Sequence, residues 1–207
     1  MKLVSRLVGY LRGDVEQADL TALQSAGGEV YSLVEGLPRG PARLAAWNAY
    51  VLQTYGDKLV AASRTSTYVR TDTAALAEES FRLACLWLDR ANSLLADPGA
   101  APSAAPAEPL PHWHTAIRCD EQLVGMRETL IALHAYVAYD MNSFAREPPR
   151  LHEALAEIEQ QLDTVDILWI KHPPAEIRGG IGTALCRGLD EIYALGQALA
   201  DPSVADQ

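Results

Sequence analysis

Cysteine is scarce in this chain of 207 residues: Cys85, Cys119 and Cys186 stand far apart, and no two form a Cys-x-x-Cys pair. An odd, dispersed set builds no disulfide framework and reads as small apolar residues of a reduced, cytoplasmic protein. Lysine is scarcer still against arginine, three (Lys2, Lys58, Lys171) among 17 basic residues, a bias that with the abundant alanine points to a GC-rich bacterial genome. Long apolar runs are missing, none approaching the roughly 20 residues of a membrane span, so no stable membrane insertion is expected. Positive charge is in deficit, 17 basic residues against 27 acidic for a net charge of −10. The acids are dispersed along the chain, and such a surface repels phosphate backbones, which excludes a general nucleic-acid role. No stretch alternates apolar and polar residues as a half-buried strand does. Glu-x-x-His, His-Glu-x-x-His, Gly-x-Ser-x-Gly and the dinucleotide fingerprint are all absent, so di-iron, hydrolase and dehydrogenase chemistry have no support.

What is present is helical periodicity, and it predicts an all-α fold: a single-domain bundle of six to seven helices spanning residues 1–207. A first half (1–97), a connector (98–111), a second half (112–200) and a short tail (201–207) divide the chain. Residues 2–12 form a basic amphipathic segment, with Leu3, Val4, Leu7, Val8 and Leu11 on one face and Lys2, Arg6 and Arg12 off it. Asp14 and Gln17 open a second helix through a capping box, with Leu23, Ala26, Val30, Leu33 and Leu37 as its stripe. Gly36, Pro38, Gly40 and Pro41 make a turn, and Pro41 is suited to the first position of the third helix. The fourth helix, about 73–97, carries one stripe of Leu76, Ser80, Leu83, Trp87, Ala91 and Leu94, and a second group of Phe81, Cys85, Leu88 and Leu95 off it. Apolar on most sides, it is expected to be the central helix of the bundle or one covered by a partner subunit.

Five prolines among Ala, Gly and Ser interrupt any helix in the connector. Beyond it a heptad stripe from Leu123 to Phe144 predicts the fifth helix. Pro148-Pro149 and Pro173-Pro174 open the sixth and seventh.

Candidate chemistry gathers in PHWHT at 111–115, where His112 and His114 flank Trp113 and, on an extended backbone, point the same way. With His134 as third donor they would form a metal set (His112, His114, His134) for a divalent ion. Trp113, Arg118, Asn48 and Tyr55 complete the candidate ligand-binding residues. The competing expectation is that Trp113 covers the bundle end and leaves the histidines at its wet margin. Asn48, Tyr55, His134 and Asp140 interrupt apolar stripes and must either build one polar pocket or make separate register-fixing hydrogen bonds. Arg178-Gly-Gly-Ile-Gly-Thr183 follows no strand and lacks the lysine of a phosphate loop, so its glycines are expected to permit close helix packing. Function is therefore expected to lie in non-enzymatic contact with a protein partner or a second copy. The alternative is a small ligand or metal ion held between the halves, with enzymatic chemistry there.

Overall fold

The computed structural model describes residues 30–65, 71–97, 112–114, 117, 119–141, 149–171 and 174–201. The 2–12 segment, the helix start at Asp14 and the connector lie outside them, as do Arg118 and the side chain of His112. The described residues are helical: α1 at 30–36, α2 Pro41–Thr65, α3 Thr71–Ala96, a 3-10 turn His112–His114, α4 Asp120–Met141, α5 Pro149–Lys171 and α6 Pro174–Ala200. No strand occurs among them. Proline stands first in α2, α5 and α6, where its missing N–H belongs to a group that has no intrahelical acceptor and its fixed φ suits helix entry.

The centre of the bundle is α2, which packs against α3, α4 and α6, while α4 and α6 pack on each other. Of the two expectations for the fourth helix, a central place or cover by a partner subunit, the first is corrected here: among the described residues that helix, α3, rests chiefly on α2 at one edge. α5 takes the opposite edge, on α6. The physical reason lies in small residues. Ala45, Ala46, Ala49 and Gly56 let neighbours approach α2 from several sides at once, so it buries Trp47, Val51, Leu52, Tyr55 and Leu59 around most of its circumference. A stripe counted in bulky residues misses this.

Close approach recurs at the α2–α6 crossing, where a Cβ on Gly196 would fall onto the indole of Trp47. That indole donates its Nε1–H to the carbonyl of Tyr193 at 3.2 Å. The turn between α1 and α2 then caps α6. Gly40, at φ +148°, donates its N–H to the Ala200 carbonyl at 2.9 Å, and Arg39 Nε donates to the Leu199 carbonyl at 3.2 Å. Carbonyls left over at a helix C-terminus are thus satisfied from the other end of the chain. Tyr31, Trp47, Tyr50 and Tyr136 join α1, α2 and α4, with Tyr136 at 5.1 to 5.4 Å, centroid to centroid, from the other three. Rings in mutual contact leave no cage for a cation between them.

Candidate functional site

Trp113 is fully buried and packs edge-on against Tyr55 of α2 and Tyr193 of α6, at 6.0 and 6.3 Å between ring centroids. Its Nε1–H donates to Asp190 Oδ1 at 2.9 Å. His114, half exposed, meets the same carboxylate through Nε2 at 3.0 Å. Cys186 Sγ donates to the Trp113 carbonyl at 3.4 Å. The 3-10 turn is therefore fastened to α6 by one carboxylate and one thiol, with the indole inward and the imidazole at the margin.

Of the candidate ligand-binding residues, Trp113 and Tyr55 are brought into contact and His114 adjoins them. His134 is committed elsewhere: on α4 it meets the Leu155 carbonyl of α5 at 3.3 Å, with Glu159 Oε1 at 3.8 Å. Asn48 is buried in α2 with Oδ1 unpaired. Tyr55 is fully buried, and its hydroxyl lies beside Gln122 without a hydrogen bond of good geometry. Burial holds that phenol far above its usual range, and the nearby Cys186 and Cys119 add to the effect. Among the described residues no three of His, Cys, Asp or Glu converge as a metal would require.

A groove of about 600 Å³ runs along the outer face of α6 beside the turn, lined among others by His114, Asp190, Cys186, Thr183, Gly179 and Arg178. Within Arg178–Thr183 the glycines divide. Gly182 is a packing position, because a Cβ there would meet the Ile117 side chain, whereas Gly179 and Gly180 face open space. The packing expectation holds for the first and is corrected for the other two. The arginines of the groove are held by acids. Arg178 donates twice to Asp120 Oδ1, at 2.6 and 3.0 Å, and Arg187 spans Glu157 at 2.9 Å and Glu191 at 2.8 Å. The thiol is unsuited to nucleophilic work, since burial and the Asp190 carboxylate both push Cys186 above its ordinary pKa.

Asp190 is the residue that sequence reasoning missed. It lies 76 positions beyond His114 and in the sequence is one more acid between Leu189 and Ile192. Comparison with protein-family models, with curated proteins and with solved structures finds no match.

Proposed function

We propose that the protein is a non-enzymatic helical module of a bacterial cytoplasm that works by binding another protein, most simply a second copy of itself, through the outer flank of α3. One observation carries the reading. The second apolar group of that helix comes out of burial along its length: Phe81 is 2% exposed, Cys85 and Leu88 are half-buried, and Leu95 is 46% exposed. Fully covering a leucine is worth about 1.5–3 kcal/mol, so a partner on this flank gains more than the scattered exposed leucines of any surface would supply. The reduced state expected of dispersed cysteines supports the compartment. Light scattering at micromolar concentration tests the reading. The wild-type chain should be dimeric, and Leu95→Glu should be monomeric with an unchanged helical circular-dichroism spectrum. A monomeric wild type would remove self-association from the proposal.

The groove favours a second reading, in which a small polar ligand sits against His114 and Asp190. A thermal-shift screen of small polar ligands tests it: a stabilisation that is lost in His114→Ala supports the site, and no stabilisation of the wild type ends it.

A further inference from the structure

We infer that two copies of the chain pair through α3 in antiparallel orientation, with Arg82 of each copy set against Asp89 of the other across a twofold axis. The inference rests on the α3 flank being the surface that meets a partner, and adds the orientation of the pair and the charged contacts that select it.

Spacing is the first support. Phe81, Cys85, Leu88, Asn92 and Leu95 follow one another at four, three, four and three residues, the alternating a and d positions of a helix that pairs with a second helix along one seam. Phe81 is turned into the bundle against Gly56, so the outward part of the seam is Cys85, Leu88, Asn92 and Leu95. Charge is the second support. Arg82 and Asp89 each stand one residue beyond a d position, on the same flank of the seam, and both are exposed. The opposite flank holds Ala77, Ala84 and Ala91, all buried, and Ala84 clusters with Leu52 of α2.

Orientation follows from these two flanks. In a parallel pair unlike flanks meet, so Arg82 and Asp89 would lie against uncharged alanines that α2 already covers, and Glu78, three residues before Phe81 in the same seam, would face its own copy. In an antiparallel pair like flanks meet. With Cys85 opposite Leu88 of the second copy, Arg82 comes level with Asp89 to within one helical turn, and the contact repeats on the other side of the axis. Glu78 then lies opposite Leu95, at the outer end of the seam where its carboxylate stays in water. Arg82 already donates to Glu79 in its own helix, but both side chains are well exposed, and a pair of that kind does little to hold the guanidinium against a second carboxylate.

Charge exchange in the full-length chain tests the inference. Arg82→Glu alone opposes two carboxylates at each contact and Asp89→Arg alone opposes two guanidinium groups, so each variant should dimerise about tenfold more weakly than wild type in sedimentation equilibrium. An equimolar mixture of the two, with one variant carrying a fluorophore, pairs opposite charges at both contacts and should form a mixed dimer within about twofold of wild-type affinity. The Arg82→Glu/Asp89→Arg double variant should recover to the same degree. A wild-type dimer that Leu95→Glu dissociates, but whose single charge variants are not weakened or whose mixture is no tighter than either variant alone, overturns the antiparallel pairing and leaves the flank in place. A monomeric wild type, or a dimer that Leu95→Glu leaves intact, overturns the pairing and the flank together.

Discussion

Removing either partner of the Arg43–Asp140 pair should destabilise the protein far more than removing both. The two side chains are about nine-tenths buried, and Arg43 Nη2 donates to Asp140 Oδ1 at 2.6 Å, joining the start of α2 to the end of α4. Nη1 of the same guanidinium donates to the Leu37 carbonyl at 3.0 Å, so it also fixes the turn that caps α6. Arg43→Met takes the guanidinium from a carboxylate that is about nine-tenths buried, and Asp140→Leu takes the carboxylate from an equally buried guanidinium; each should cost about 3–5 kcal/mol. The double variant strands neither charge. It loses the hydrogen bond to Leu37, worth about 1 kcal/mol, and should therefore lie within about 1–2 kcal/mol of wild type. Urea denaturation of the four proteins, followed by circular dichroism, gives the double-mutant cycle directly. Single-variant losses below about 1 kcal/mol, or additive losses, would refute the claim that these charges are desolvated and mutually dependent.

Burial raises the Asp57 carboxyl to about 7 from its ordinary 3.8, with Lys58 opposing the shift. Between those values the folded protein keeps a proton that the unfolded chain releases, so stability falls as pH rises through the window, by at most ~1.4 kcal/mol per unit, and levels off above it. Asp57→Asn should flatten that slope, stabilise at pH 8 and change little at pH 4, as measured by denaturant titration at each pH. Gly196→Ala should destabilise by about 1–3 kcal/mol because its methyl group meets the Trp47 ring, whereas Gly180→Ala, in open space, should stabilise by up to ~1 kcal/mol through helix propensity; thermal melts of the two variants should shift in opposite directions. Trp113→Ala should cost about 3–5 kcal/mol, while His114→Ala, which loses a half-exposed contact with Asp190, should stay within ~1 kcal/mol in the same denaturation assay.

The long helices among the described residues were legible in the sequence because the signals for them are local, whereas the His112–His114 stretch, read as extended, is a 3-10 turn. Proline at the first position of α2, α5 and α6 and the 3.6-residue period of the stripes act within a few residues. Helix placement was not legible to the same degree. α3 shows bulky apolar residues on most sides and was expected either at the centre or under a partner subunit, yet α2 takes the central position because alanine and glycine, which add little to a hydrophobic count, decide how many neighbours can approach. The PHWHT segment was legible as a place of interest. Its partner Asp190 was not, because a carboxylate on a helix is ordinary until the fold carries it to an indole N–H. Arg43 and Asp140 were hidden by the same distance in sequence: Asp140 was visible as a break in an apolar stripe, but 97 positions separate it from the cation that explains it.

The polar residues set into apolar stripes bear on function through where their partners lie. Asp140 reaches Arg43 at the mouth of α2, His134 reaches a carbonyl of α5, and Asn48 and Tyr55 stay in the wall of α2 with oxygens unpaired. Four polar groups sharing one cavity could orient a substrate. Dispersed over several helix contacts, the two paired ones act on registry, since Asp140 and His134 are each satisfied at one relative position of two helices and cost about 1–3 kcal/mol if those helices slip. An interior built this way fixes one arrangement of α2, α4 and α5 and leaves recognition to the outside. There, among the described residues, the groove beside His114 and the emerging stripe of α3 are not filled by the helices' own packing. The groove's charged side chains already have carboxylate or imidazole partners, so a ligand entering it must displace existing hydrogen bonds, whereas a helix laid on the stripe displaces only water. That asymmetry in what must be given up is the physical ground for proposing α3, and not the groove, as the surface that meets a partner.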